Sequence, residues 1–212
     1  MSLPDTWFDP ATHHDPSEPA CVGSSFAPPV SPVPSPDRGD WMLTASGGEF
    51  YPLDPRADEV HIEDIAHALG MACRFGGHTT RFYSVAEHCV LMATRAPRGL
   101  ELATLMHDAS EAYLQDVIRP VKVHLTNYLP IEDKLMHVIA HRFNFAWPMP
   151  ADVKRLDEAM IGAEREQAVR FPRGKAWSRW KPVAPLDVTV QFWSPERAKR
   201  EFLRSFHAYR AT

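Results

Sequence analysis

Residues 105–116, LMHDASEAYLQD, set His107 and Asp108 side by side and follow them with Glu111 and Asp116. Imidazole and carboxylate are the groups that bind divalent cations and move protons. Read as one helix of about 3.6 residues per turn, the stretch puts Glu111 one turn beyond both His107 (i+4) and Asp108 (i+3). The three side chains then share one side of an otherwise apolar helix. That arrangement calls for a cation.

A divalent cation needs ligand atoms at about 2.0–2.2 Å, held by rigid elements. His107 and Asp108 therefore need partners from other helices. His88, inside the apolar VAEHCVLM, is the upstream candidate. Asp157, in KRLDEAMIGAE, is the downstream one. Each has a plainer reading when taken singly: a surface His–Asp pair, a hydrogen-bonded core histidine, or an i,i+3 ion pair with Lys154. It is the combination that points to a metal. HVIAH offers a second pair, His137 and His141 at i,i+4, but lacks the glutamate after the first histidine that a zinc-hydrolase helix uses as its base.

The elements that must position these residues are mostly helical. HIEDIAHALG places Ile62, Ile65, Ala66 and Leu69 on one face and predicts a stop at Gly70. SVAEHCVLMATRA predicts a helix capped by Ser84, with Glu87 at the capping-box position. GLELATLMHDASEAYLQ predicts one long apolar helix carrying His107 to Glu111. Pro120 and Pro130 interrupt the next stretch. IEDKLMHVIAHRF, PADVKRLDEAMIGAEREQAVR and SPERAKREFLRSFHAYRA then open with proline or an acidic first turn and carry apolar residues three and four apart. Ahead of them, DWMLTASGGEFYPLDP alternates around Gly47–Gly48 and predicts a short hairpin or strand-like arm. Residues 1–37 hold nine of the twenty prolines and read as a flexible tail. The expected organisation is that tail (1–37) and an all-α bundle (38–212).

Composition narrows the function classes. A chain of 212 residues with 44% hydrophobic content builds one core. A net charge of −4 gives no footprint for a nucleic-acid backbone, so no nucleic-acid polymer is expected as partner. Three cysteines, Cys21, Cys73 and Cys89, with no C-x-x-C, argue against a disulfide framework. Neither a membrane-length apolar run nor a signal pattern is visible, so no membrane partner and a cytoplasmic location are expected.

YSVAEHCVLMA, LMHDASEAYLQDVIRPVK and VKRLDEAMIGAERE together resemble the HD-domain metal-dependent phosphohydrolases, in particular the branch of the bacterial 5′-deoxynucleotidases and viral dATP triphosphohydrolases. The H…HD…D order, with spacings of 19 and 49 residues and H-D-x-x-E, carries the resemblance from about residue 40 to 211. It implies an HD-domain helical bundle and one divalent metal ion (Co, Mn, Mg, Zn or Fe) on His88, His107, Asp108 and Asp157. It further implies Glu111 as the proton-transfer acid, with Asp116 near the metal water. CRFGGHTTRFYSVAEH is similar to the family's arginine–aromatic element. This assigns Arg74 to phosphate and Phe75 to the sugar or base, with His78 and Lys122 as further phosphate contacts. Phe75 has an equally simple reading as a core ring, and His78 as an exposed loop residue. Glu87 and Cys89 flank His88 where dinuclear members carry extra histidines, so one metal is expected. Ala112 after Glu111 departs from the guanosine-tetraphosphate hydrolase pattern. The resemblance implies a nucleotide as substrate, deoxynucleoside 5′-phosphates foremost, and a homo-oligomer. The rival is a non-catalytic HD-fold nucleotide-binding or regulatory protein.

Overall fold

A computed structural model describes residues 38–172 and 183–211. The chain enters on a two-stranded antiparallel hairpin, β1 (Met42–Leu43) and β2 (Glu49–Phe50), with Met42 opposite Phe50. Gly47 turns the chain at φ +86°, a backbone that needs no side chain. Ser46 donates from both N and Oγ to the buried Asp64 carboxylate, at 2.7 and 2.8 Å, and so ties the hairpin to the first helix. Arg38 pairs with Asp54 and Glu59 at 2.9 and 2.7 Å and pins the start of the described chain.

Eight α-helices follow among the described residues: α1 (Ile62–Met71), α2 (Val85–Ala93), α3 (Glu101–Leu105), α4 (Glu111–Leu114), α5 (Arg119–Lys122), α6 (Tyr128–Phe143), α7 (Ala151–Gln167) and α8 (Pro195–Arg210). The fold is all-α with a small hairpin arm, as its periodicity predicts. None of these helices is long and apolar enough to cross a membrane. The proline-rich tail, 1–37, lies outside the described residues. The core gathers the apolar stripes of α1, α2, α6 and α8, with Ile65, Leu69, Leu135, Ile139, Phe202 and Phe206 fully enclosed. Pro120 and Pro130 sit in the first turns of α5 and α6, where a missing N–H costs no helix bond.

Two expectations are corrected. The α1 helix runs through Gly70 to Met71. Gly70 instead leaves room for α8: a Cβ there would lie 3.0 Å from the Pro195 carbonyl oxygen and 3.4 Å from the Lys199 nitrogen. The long helix expected over 99–115 is two short ones, broken by a turn at 106–110. The Thr104 carbonyl, which a continued helix would offer to the Asp108 N–H, accepts instead from the His107 ring at 2.8 Å. Ala109 and Glu111 then bond back only three residues, to Met106 and Asp108. His107 and Asp108 thus stand on a tight turn, not on the face of a helix.

Candidate metal centre

Three elements bring the candidate ligands together. His88 lies in the middle of α2, whose start is fixed by the Ser84 Oγ accepting from the Glu87 N–H at 3.1 Å. Nearly every α2 side chain is buried, and His88 is fully so. The turn between α3 and α4 supplies His107 and Asp108, and α7 supplies Asp157. His88 Nε2 stands 3.3 Å from His107 Nε2, 3.7 Å from Asp108 Oδ2 and 3.5 Å from Asp157 Oδ1. His107 Nε2 stands 3.1 Å from Asp108 Oδ2 and 4.0 Å from Asp157 Oδ1. Ligand atoms sharing one ion at about 2.0–2.2 Å are about 3–3.5 Å apart. The His88–His107 and His107–Asp108 pairs meet that spacing, and the three ligands form one group with all ligand atoms within 4.8 Å of one another. Asp157 lies at its edge, its side chain 35% exposed against 0% for His88 and 8% for His107. Each imidazole gives its Nδ1 to another partner, His107 to the Thr104 carbonyl and His88 to Glu164, so both Nε2 atoms face the cluster.

The charges around the cluster favour a cation. Burial acts to lower the pKa of both histidines, and Arg74 adds to this at His88. The carboxylates prevail: Asp108 carries His107 well above its ordinary value, and Glu164 and Asp157 raise His88. Asp108 is held far below the usual carboxylate range by His107, His88 and Arg74, against its burial. Glu111 is the opposite case. Burial pushes its carboxyl well up, and Asp108 and Asp116 push it further. Its Oε2 is buried with no hydrogen-bond partner among the described residues, a costly state for a lone polar atom. A cation and its bound water would meet both demands, and the residues present fit a divalent metal.

Around the centre the predicted contacts take different places. Arg74, the first residue of a tight turn at Arg74–Gly77, is largely buried and holds Glu164 through Nε and Nη2, at 3.3 and 3.2 Å. Its planar fork is therefore spent on a protein carboxylate. Only Nη1, 3.7 Å from Asp108 Oδ2, is turned to the cluster. Phe75 is half-buried beside it, at φ +55°, its ring centroid 5.5 Å from the Arg74 guanidinium carbon. His78 is exposed. Lys122 is drawn to Glu132, at 2.6 Å. Asp116 is half-buried, its pKa raised chiefly by burial. His137 and His141 are exposed on α6.

No family model matches the chain. It is 41% identical over 168 residues to the uncharacterized protein YfdR of Escherichia coli (strain K12), covering 79% of this chain and 94% of that one. The chain belongs to the YfdR family. The uncharacterized protein RCAP_rcc00048 of Rhodobacter capsulatus is a further relative, 33% identical over 184 residues, again 79% of this chain and 94% of the other. Neither name states an activity.

Two buried acids of the YfdR-family chain go beyond the expected set. Glu164 is fully buried and touches His88, Arg74 and Tyr83. It stands seven residues past Asp157, about two turns along the same face of α7, and that spacing is its one sequence signal. Glu87 does not reach back to close a capping box. It leaves the metal cluster altogether and accepts from the backbone N–H groups of Gln191, Phe192 and Trp193, at 2.6, 3.0 and 2.7 Å. Cys89 Sγ lies 3.9 Å from His107 Nδ1, its thiol pushed up to about 11 by burial.

Proposed function

We propose that the protein is a metal-dependent phosphohydrolase of the HD-domain type, with deoxynucleoside 5′-phosphates as its substrate class. The observation that carries this reading is the convergence of two Nε2 atoms and two carboxylates from α2, the 106–110 turn and α7, with an unpartnered Glu111 oxygen alongside. The substrate class comes from the HD-domain resemblance.

His88, His107, Asp108 and Asp157 would hold one divalent ion, which when bound acidifies a water and polarises a phosphate oxygen. Asp157 is the most exposed of the four, so substrate enters from its side. Arg74 donates to a phosphate oxygen there from Nη1 alone, its Nε and Nη2 being engaged by Glu164. Glu111 holds a proton at a buried carboxyl and passes it to the leaving nucleoside 5′-oxygen, the same atom for both substrates: water on the phosphorus that bears it yields phosphate from a monophosphate and triphosphate from a dNTP. Asp116, on the short segment after α4, adds negative charge that keeps this proton on Glu111. Incubation with a panel of dNMPs and dNTPs under several divalent metals, with chromatography of products, tests the reading. Nucleoside with phosphate, or nucleoside with triphosphate, is the expected outcome. No hydrolysis under any metal, with nucleotide still bound, would favour the non-catalytic nucleotide-binding alternative.

A further inference from the structure

Among the described residues, Glu164 faces donors only. Oε1 accepts from His88 Nδ1 at 2.7 Å, from the Tyr83 hydroxyl at 3.0 Å and from Arg74 Nε at 3.3 Å; Oε2 accepts from Arg74 Nη2 at 3.2 Å. A side chain so placed must accept at both ends, and an ionised carboxylate is the one that does. The same carboxylate therefore grips a metal ligand and the arginine that points into the site.

We propose that Glu164 is a positioning residue that sets both groups at once. It holds the His88 ring as the Nδ1–H tautomer, which leaves Nε2 free for a metal, and it holds Arg74 by Nε and Nη2, which leaves Nη1 turned to the site. The first half rests on the metal reading of the cluster, the second on the phosphohydrolase reading. Arg74 also reaches the acid Asp108, 3.7 Å from Nη1. Losing Glu164 would let the guanidinium fall onto a metal ligand, so the centre would suffer from both sides. A carboxylate behind a metal-bound histidine orients the ring and raises its basicity.

The test is Glu164→Gln, whose amide must aim N–H bonds at groups that are themselves donors. Calorimetric titration with Zn²⁺ should show affinity falling about 10–100-fold. Tyr83→Phe, which keeps the His88–Glu164 contact, should stay near wild type. At zinc saturation, Glu164→Gln should also bind inorganic phosphate more weakly; unchanged phosphate affinity would overturn the Arg74 half. If the variant does not fold, nitrogen NMR of zinc-loaded wild type carries the test. His88 should bind through Nε2 with a slowly exchanging Nδ1 proton, and a ring bound through Nδ1 would overturn the proposal. Zinc affinity of Glu164→Gln equal to wild type would overturn it too. Should wild type hydrolyse no nucleotide while the variant still loses zinc, the phosphohydrolase reading falls and the His88 role stands. A wild-type chain that takes up no zinc overturns both.

Discussion

Glu87→Ala should cut the segment 191–193 loose from α2. Phe192 has φ +55°, and this left-handed residue lets three successive N–H groups turn inward on one carboxylate. Burial pushes the Glu87 pKa up, against the pull of those three N–H groups and of Arg197. In the alanine variant the exposed Gln191 can turn its N–H to water, whereas Trp193 is buried and Phe192 half-buried. Two orphaned donors cost about 2–6 kcal/mol together, at about 1–3 kcal/mol each. Removing a desolvated carboxylate offsets part of this and leaves about 2–4 kcal/mol. At about 2–4 °C per kcal/mol for a chain of this size, the melting temperature should fall by about 4–16 °C. Glu87→Gln keeps a carbonyl for Gln191 and Phe192, which share Oε1, and turns its NH₂ on the Trp193 N–H. It should cost less, about 1–3 kcal/mol. Calorimetry gives the melting temperatures, and hydrogen exchange reads the three amides directly. An alanine variant melting within about 1 °C of wild type, with those amides still protected, would refute the anchoring argument. So would a glutamine variant as unstable as the alanine one.

Other expectations concern the centre. Elemental analysis should find one divalent metal per chain, and His107→Ala or Asp108→Ala should empty the site; two ions at full occupancy would contradict the four-ligand reading. Glu111→Ala should retain the metal and lose turnover by about 10²–10⁴-fold, the usual worth of a positioned proton donor. If it sheds metal as readily as Asp157→Ala, Glu111 is a ligand and not the acid. Phe75, half-buried next to Arg74, should disfavour a 2′-hydroxyl left without a partner, at about 1–3 kcal/mol. Wild type should then prefer deoxy- to ribonucleotides by about 10–100-fold, and Phe75→Ala should relax the preference in competition assays. Equal rates on AMP and dAMP in wild type would return Phe75 to the role of a packing ring.

The sequence by itself determined the parts governed by neighbours along the chain. Ile62, Ile65, Ala66 and Leu69 share the buried face of α1 because a helix repeats every 3.6 residues or so. Ser84 caps α2 because its hydroxyl reaches an N–H three residues on. Gly47 turns the hairpin because it lacks a Cβ. His88, His107, Asp108 and Asp157 were legible as a candidate set, because metal binding restricts residue types severely, and the fold gathers the first three into one group with Asp157 beside it. Tertiary structure decided what those side chains face. The turn at 106–110 exists because the His107 ring captures a helix carbonyl, a competition no periodicity reveals. Gly70 looks like a helix stop and is a helix crossing, because Pro195 arrives from far along the chain. Glu87 and Glu164 are both acids within helices. One anchors a distant backbone and the other stands behind His88, because a buried carboxylate takes whatever donors the fold brings within reach, and those donors lie 76 to 106 residues away.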